Sequence, residues 1–142
     1  MSTTKRDFSV IGKPLPRVDA GDKCTGRTKY ADDLVSPRML AGKLLPSTHP
    51  QALIKSIDTT AAEKHPGVFA VITGKDLPIQ FGIMPTSEDE NAMAVHKVRY
   101  VGEPVAAVAA IDEETAEEAL ELIRVEYEPL KPIMSIEDAS NN

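Results

Sequence analysis

KVRYVGEPVAAVAA (Lys97–Ala110) is followed without a break by IDEETAE (Ile111–Glu117), and these two segments carry the clearest structural signal in the chain. Val98–Tyr100 and Val105–Ile111 are rich in β-branched residues and predict two strands. Gly102-Glu103-Pro104 between them predicts a tight connection. The second strand carries alanine at positions 106, 107, 109 and 110. Because alanine is small, neighbouring layers can approach it closely, so this strand is expected to be tightly packed on both faces, with little room for larger side chains.

A helix is predicted directly after this strand. Asp112 stands where an N-cap residue belongs, and Glu113 and Glu114 follow in the first turn, where carboxylates favour the positive end of the helix dipole. An apolar face repeats at the helical spacing i, i+3, i+4, i+7 through Ala116, Ala119, Leu120 and Ile123. This helix is the strongest prediction in the sequence.

Shorter elements are predicted on both sides of this region. Residues 1–38 contain scattered proline and glycine without helical periodicity and predict an extended arm, and residues 79–95 predict a long surface loop. Asp58 is placed as the N-cap of a short helix that ends at Pro66-Gly67. The remaining predicted elements are strands at Leu40–Leu45, Leu53–Ile57, Val68–Thr73 (expected to be central) and Val125–Tyr127, and a helical turn at Ile136–Ala139.

The order β, β, α, β, loop, β, β, α, β predicts an α/β or α+β fold, of which we choose α+β, with a mixed sheet and two main helices on one side. Elements around residues 53–73 echo those around residues 105–127, although the sequence shows no convincing repeat. A length of 142 residues fits one core. We therefore expect a flexible N-terminus over residues 1–10 and a single domain over residues 11–142.

Composition excludes several classes of function. A net charge of -6 and a pI near 5.1 argue against nucleic-acid binding, which needs clustered Lys and Arg. No apolar run approaches the roughly 20 residues that cross a bilayer, and the charged N-terminus does not look like a secretion signal. Cys24 is the only cysteine, so neither an internal disulfide nor a thiolate metal cluster can form. A cytoplasmic protein without nucleic-acid or membrane partners is expected.

Three histidines are the first candidates for chemistry: His49, His65 and His96. None has the close spacing of a metal motif, so a structural or solvated role is favoured for each. His49 follows Ser47 and Thr48, and a small hydrolase that uses His49 or Cys24 is a remote alternative. A catalytic triad is defined by geometry, however, and proximity in sequence does not supply it.

Acidic runs and the cysteine are weaker candidates. Asp32-Asp33 and Glu88-Asp89-Glu90 could hold a hard cation, but they lack the ligand spacing of a calcium loop, and solvated loops are favoured. Cys24 has one basic neighbour, Lys23, which is thin support for a reactive thiolate.

Two further groups bear on binding and on solubility. Gly102-Glu103-Pro104 lacks the G-x-G-x-x-G spacing of a dinucleotide site, and a tight strand connection explains it. Glu117, Glu121 and Arg124 are placed on the exposed face of the helix and predicted to serve solubility.

Six groups of residues carry a resemblance when taken together: Gly12–Asp19, Thr25-Gly26 with Lys29–Asp33, Ser47–Ala52, Ile54 with Ser56–Asp58, Pro66–Val68, and Val98–Ala106. The chain thereby resembles the N-terminal α/β hammerhead domain of the molybdopterin-binding large subunit of the xanthine oxidase and aldehyde oxidase family. Phe81-Gly82, and Asp112-Glu113 with Thr115–Glu117, resemble most the large subunit of 4-hydroxybenzoyl-CoA reductase. His49-Pro50 replaces the commoner His-Ala of the family.

The resemblance implies a hammerhead fold and a parent oxidoreductase that binds molybdenum on molybdopterin. Iron-sulfur clusters and FAD would lie on partner domains or subunits. The reaction would hydroxylate heterocycles or aldehydes with oxygen from water, or reductively remove a phenolic hydroxyl. The glutamine, arginine, glycine-rich loops and catalytic glutamate of the family come later in the large subunit. No catalytic, cofactor-binding or metal-binding residue is therefore assigned to these 142 residues.

The function expected from the resemblance is structural. Through the arm and the strand edges, the domain would pack against the remaining domains of the large subunit and against the iron-sulfur and FAD subunits, and alone it would be inactive. The alternative is a free-standing hammerhead-fold binding or assembly module without enzymatic activity, because fold does not fix function.

Overall fold

The computed structural model describes residues 8–84 and 86–141, which separate into two compact units, Met1–Pro37 and Arg38–Asn142. Residues 1–7 of the predicted flexible N-terminus lie outside the described residues. The predicted division into residues 1–10 and 11–142 stays a prediction.

The first unit contains more regular structure than the expected extended arm. It has a one-turn helix, α1 (Ala20–Cys24), and a 3-10 turn at Ala31–Asp33. Asp19 precedes α1 and accepts hydrogen bonds from the Arg17 guanidinium at 3.2 and 3.1 Å, and its carboxylate lies 2.6 Å from Lys23 Nζ. These local pairs hold a short turn of helix that hydrophobic periodicity could not reveal, because none of its residues is buried.

The second unit is built from antiparallel strands. Its strands are β1 (Ala41–Pro46), β2 (Ala52–Asp58), β3 (Val68–Thr73), β4 (Gln80–Phe81), β5 (Glu90–Asn91), β6 (Lys97–Val98), β7 (Pro104–Ala110) and β8 (Arg124–Pro129). Its helices are α2 (Thr60–Glu63), α3 (Glu113–Leu122) and α4 (Ile136–Ser140).

Two three-stranded sheets replace the single mixed sheet that was expected. The first sheet has the order β1-β7-β3, the second has the order β6-β2-β8, and β4 pairs with β5. Every strand pair in the described residues is antiparallel. The α+β fold class is confirmed. Strands β6 and β7, which were predicted as two strands joined by a tight connection, belong to different sheets.

Each of the longer crossovers passes from one sheet to the other. Helix α2 connects β2 to β3, and α3 connects β7 to β8. Strand β2 pairs with β8 while β3 pairs with β7, so the two β-α-β segments exchange strands between the sheets. This arrangement is the structural counterpart of the echo between residues 53–73 and 105–127.

The core lies where α2 and α3 cover the first sheet and continues into the second sheet. One cluster joins Ala106, Val108 and Ala110 of β7 to small side chains of both helices, Ala62, Ala116 and Ala119. A second cluster contains Ala52, Ala94, Val98 and Val105. Leu45, Ile57 and Val125 contact both clusters, so the two sheets share one continuous apolar interior.

Helix α3 confirms the strongest prediction. Asp112 is its N-cap and accepts a 2.8 Å hydrogen bond from the Thr115 backbone N–H. Hydrogen bonding from Thr115 holds the pKa of the Asp112 carboxyl below its usual value. Ala116, Ala119 and Ile123 of the predicted face are buried. Strands β1, β2 and β8 and helix α4 also match their predicted positions.

Three expectations about shorter elements are wrong. The N-cap of α2 is Thr59, and Asp58 instead accepts a 3.0 Å hydrogen bond from the Thr60 N–H. Strand β3 lies at an edge of its sheet and is not central. The predicted loop over residues 79–95, of which residue 85 is not described, contains the β4–β5 pair and the buried side chains of Met93 and Ala94.

Strand β7 is not packed on both faces. Ala106, Val108 and Ala110 are buried. On the other face Val105 is buried at the start of the strand, but Ala107 and Ala109 are only half-buried. Alanine predicts close packing on both sides, whereas the face around Ala107 and Ala109 has no layer over it in the Arg38–Asn142 unit as described.

Candidate functional site

The turn after β1 meets the loop before β7, and both segments carry the family resemblance. Ser47 N–H donates to the Glu103 carbonyl and Gly102 N–H donates to the Ser47 carbonyl, each at 2.8 Å. Gly102 has φ of +96°, which a residue with a side chain adopts only with strain. Ser47 and the Gly102-Glu103-Pro104 segment therefore join the end of β1 to the start of β7, and we call these four residues the lock.

Ser47 lies deep in this lock, with only 2% of its surface exposed. Its hydroxyl donates to the His49 carbonyl at 3.2 Å and accepts from the His49 backbone N–H at 3.1 Å. The His49 ring lies 3.1 Å from the Thr48 hydroxyl and stacks on Tyr127 with 4.6 Å between ring centroids. The Ser47 hydroxyl thus bonds to the backbone of His49, and this geometry does not support the hydrolase alternative.

Tyr127 is a residue that sequence reasoning missed. Burial raises the pKa of its phenol, which packs behind His49 and joins the second cluster of the core. The alternation of Val125 and Tyr127 in β8 was the available signal, since it predicts that both side chains face inward. Tyr127 and His49 together fix the turn against the second sheet.

Glu103 is the acidic residue of this loop, and only 13% of its side chain is exposed. One carboxylate oxygen accepts a hydrogen bond from the Arg99 backbone N–H, and the other lies 3.6 Å from the Arg99 guanidinium. Because both oxygens are engaged with residue 99, Glu103 closes its own loop.

An open cleft of about 420 Å³ lies beside the lock. Its polar residues are Gln51, Lys97, Arg99 and Tyr100, and its apolar residues are Pro50, Val101, Pro132, Ile133 and Met134. With its amide turned to satisfy both neighbours, Gln51 donates to the Lys131 carbonyl at 3.1 Å and accepts from Lys97 Nζ at 2.8 Å. The cleft is open to solvent, unlike the enclosed pockets that bury most of a small ligand.

The other two histidines make contacts elsewhere in the second unit. His65 Nε2 is 3.4 Å from a Glu118 carboxylate oxygen, so His65 pairs with the outer side of α3. The backbone carbonyl of His96 accepts a hydrogen bond from Ile54 N–H. Cys24 is exposed. Within the second unit, each of the three histidines therefore has a different set of neighbours.

The acidic runs act locally. Asp33 accepts a 2.9 Å hydrogen bond from Tyr30 N–H in the first unit, and Glu90 is exposed in β5. Over residues 8–84 and 86–141, no three His, Cys, Asp or Glu side chains converge as a metal site would require.

Glu117 has a partner that sequence reasoning missed. Lys43 Nζ lies 2.8 Å from Glu113 and 3.0 Å from Glu117, so one cation of β1 holds two carboxylates of α3. These carboxylates raise the pKa of Lys43, while Lys43 lowers the pKa of Glu113. A lone lysine inside the apolar stretch LAGKLL was the signal. The prediction for Arg124 is also wrong, because Arg124 begins β8 and is not on the helix face.

The residues do not fit the cofactors that the resemblance implies for the parent enzyme. Iron-sulfur clusters need several thiolates, and the whole sequence has only Cys24. In the described part of the chain, the 420 Å³ cleft is open and its cations are already engaged by Gln51 or Glu103. None of the described helices is long and apolar enough to cross a membrane.

Comparison with known proteins agrees with this architecture. Residues 25–131 match the family described as "Aldehyde oxidase and xanthine dehydrogenase, a/b hammerhead domain". The chain is 49% identical over 133 residues to a probable xanthine dehydrogenase subunit of Bacillus subtilis, covering 92% of this chain and 18% of the relative. It is 38% identical to the nicotinate dehydrogenase large molybdopterin subunit of Eubacterium barkeri, covering 94% and 32%.

Solved structures show the same likeness. Quinoline 2-oxidoreductase of Pseudomonas putida 86 superposes with a TM-score of 0.80 at 36% identity, over 89% of this chain and 17% of that one. The chain thus spans less than a fifth of quinoline 2-oxidoreductase and of the B. subtilis relative. The particular closeness to 4-hydroxybenzoyl-CoA reductase stays a prediction. By its sequence and its fold, this chain belongs to the a/b hammerhead domain family of aldehyde oxidases and xanthine dehydrogenases.

Proposed function

We propose that this chain is the N-terminal structural domain of the large subunit of a molybdenum-dependent hydroxylase or dehydrogenase. It contributes scaffold and subunit contacts, and the catalytic and cofactor-binding groups lie elsewhere in the parent enzyme. One observation carries the proposal: the match covers 92% of this chain but 18% of the Bacillus subtilis relative. The name of the Eubacterium barkeri relative supports molybdopterin as the cofactor of the parent subunit.

The contacts of the second unit support a scaffold role. Its turn after β1, its Gly102-Glu103 loop and its Lys43 pairs are all satisfied within the chain. A catalytic site needs groups with free bonding capacity directed at a substrate. The polar groups named here instead hold strand ends and a helix in place.

The partners that we propose are the remaining domains of the large subunit and separate iron-sulfur and FAD subunits. The relatives from Bacillus subtilis and Eubacterium barkeri are both named as subunits, which supports assembly from several chains. Exposed apolar side chains in the first unit, among them Val18, Leu34 and Val35, support burial of that unit in an assembly. A reducing cytoplasm is the proposed setting, supported by the single cysteine.

The direct test is to read the coding sequence beyond Asn142. The expected result is several hundred further codons that specify glycine-rich loops and a late glutamate. A stop codon at that point, with no molybdenum-enzyme subunit encoded nearby, would contradict the proposal and favour the free-standing binding or assembly module.

A deletion tests the role of the first unit. Removal of residues 1–37 from the full-length subunit should abolish assembly with the partner subunits, as measured by size-exclusion chromatography of the complex. Removal of residues 1–10 is the control and should leave assembly intact. Normal assembly and activity after the longer deletion would show that the first unit is not part of the scaffold.

A further inference from the structure

One face of the first sheet is apolar and uncovered in the Arg38–Asn142 unit. It is formed by Gly42 and Leu44 of β1, Ala107 and Ala109 of β7, and Ala70 and Ile72 of β3, which together line a shallow groove. We call these six residues the open face. Leu44 is 59% exposed and Ile72 is 37% exposed. The opposite face of the same sheet carries α3, with which Lys43 forms its ion pairs.

The open face lacks the polar side chains that a solvent-exposed sheet face usually carries. Antiparallel sheets with one solvated face normally alternate apolar and polar residues, so that the outer face is polar. None of the six residues of the open face carries a charge or a hydroxyl. Lys43 and Val108 also line the groove, but Lys43 is paired with two carboxylates of α3 and Val108 is buried in the core. Contiguous exposed apolar surface of this kind marks an interaction site in soluble proteins.

The apolar surface continues past the strand ends. Leu40 lies two residues before Gly42 and Ile111 lies two residues after Ala109, and both line an adjoining cleft of about 370 Å³ with Met39, Phe69 and one charged residue, Arg38. Phe69 is 68% exposed and Ile111 is 55% exposed. The whole region is therefore a strip that runs along β7 and is bordered by larger side chains.

The shape of the strip suits a helix. Ala107 and Ala109 form its middle on β7, and Leu44 and Ile72 stand on the two outer strands. Neighbouring strands are about 4.8 Å apart, so these outer rows are separated by roughly 10 Å. A helix with its side chains is about 10 Å wide and packs at a similar distance above a sheet. Large side chains of such a helix would fill the space above Ala107 and Ala109.

We propose that the open face is where this domain packs against an apolar helix of the remaining large-subunit polypeptide. The inference rests on the proposed function, because the occupant is the part of the subunit that this chain does not contain. More than four-fifths of the Bacillus subtilis relative lies outside the matched region. An uncharged apolar surface is typical of permanent interfaces, which resemble a domain core cut in half.

The test uses a chimera in which this chain replaces the matching segment of the Bacillus subtilis relative. Leu44→Glu and Ile72→Glu each place a charge on the open face. Ile83→Glu is the matched control, because Ile83 is 93% exposed and lies outside that face. Limited proteolysis measures how fast the hammerhead domain is released from the chimera. Urea unfolding of the three variants as isolated 142-residue chains measures whether they still fold.

The unsubstituted chimera and Ile83→Glu should resist proteolysis equally. Leu44→Glu and Ile72→Glu should release the domain roughly tenfold faster or more, while their isolated chains unfold at the same urea concentration as the parent chain. Resistance of Leu44→Glu and Ile72→Glu equal to that of the control would overturn the docking face and leave the proposed function standing.

Two other results would have different meanings. Failure of the unsubstituted chimera to form a compact subunit, under conditions where the natural relative does, would count against the proposed function itself. A dimer of the isolated chain that Leu44→Glu dissociates would show that the occupant is a second copy of this chain, which also overturns the inference.

Discussion

The two sheets differ in what their outer faces present. In the second sheet, β8 directs Glu126 and Glu128 outward, where they meet Ser56 and Lys55 of β2. In the first sheet the corresponding surface is the open face, with Leu44 and Ile72 exposed. The second sheet thus presents a polar outer face to water. The first sheet is covered by α3 on one face and exposes an apolar surface on the other. This difference supports the open face as the surface that another part of the subunit covers.

The largest expected effect contrasts the two faces of β7. Val108→Asp places a charge in the core, where Val108 is 2% exposed, and should lower the free energy of unfolding by more than about 4 kcal/mol. Ala109→Asp on the open face should lower it by about 1 kcal/mol or less. Urea unfolding of both variants measures the contrast. Equal destabilisation would show that both faces of β7 are enclosed in the isolated chain.

Two glycines give the next contrast. Gly67 has φ of +89°, and a Cβ there would lie 3.0 Å from Ile111 Cδ1 and 3.1 Å from the Thr115 methyl, so Gly67→Ala should cost about 1–2 kcal/mol. Gly42 lies on the open face, where an added Cβ would meet nothing within 4 Å and φ is not positive, so Gly42→Ala should be neutral or slightly stabilising. Thermal unfolding distinguishes them, and a loss at Gly42 as large as at Gly67 would contradict an uncovered face.

The cap of α3 predicts a pH dependence. The pKa of Asp112 is lowered in the folded chain by hydrogen bonding from Thr115, so its contribution to stability is present above the usual value of 3.8 and is lost as pH falls through the lowered folded pKa. Asn is an equally good N-cap, so Asp112→Asn should match the parent chain near pH 7 and lose less stability on acidification.

Urea unfolding at pH 7 and pH 3 measures that dependence. Glu121→Gln is the control, because Glu121 is exposed on the same helix and lies at the opposite end from the N-cap. The same acid sensitivity in Asp112→Asn as in Glu121→Gln would rule out the cap as a source of the pH dependence.

The smallest expected effect concerns the outer face of the second sheet. Lys55→Met breaks the exposed pair with Glu128 and should change the free energy of unfolding by less than about 1 kcal/mol, since exposed ion pairs contribute little. It also converts part of this polar face to an apolar one. Analytical ultracentrifugation should still find the chain in its parent association state, and a new oligomer would show that the polar face prevents association.

Sequence predicted the local elements well and their assembly less well. Asp112 and the spacing from Ala116 to Ile123 determine α3 locally, because caps and helical periodicity act within a few residues. The pairing of β7 with β1 and β3 depends on long-range contacts that no local pattern encodes. For that reason the prediction that β3 lies at the centre of its sheet is wrong.

The candidate site is visible in the sequence only as two separate segments of the resemblance, Ser47–Ala52 and Val98–Ala106. Only the structure shows that Ser47 bonds to Gly102 and Glu103. The sequence does not predict the open face, for a different reason. Alanine is compatible both with a strand that is buried on two sides and with a strand that has one uncovered face. Burial on one face becomes visible only when the neighbouring strands are in place.

Chemical labelling of introduced cysteines would test the contrast between the two sheets most directly. In a Cys24→Ser background, Leu44→Cys reports on the open face and Ser56→Cys on the outer face of the second sheet. Both thiols should react with a maleimide at similar rates in the isolated chain. In the chimeric large subunit, Leu44→Cys should react at least tenfold more slowly while Ser56→Cys keeps its rate. Unchanged labelling of Leu44→Cys in the chimera would contradict the account.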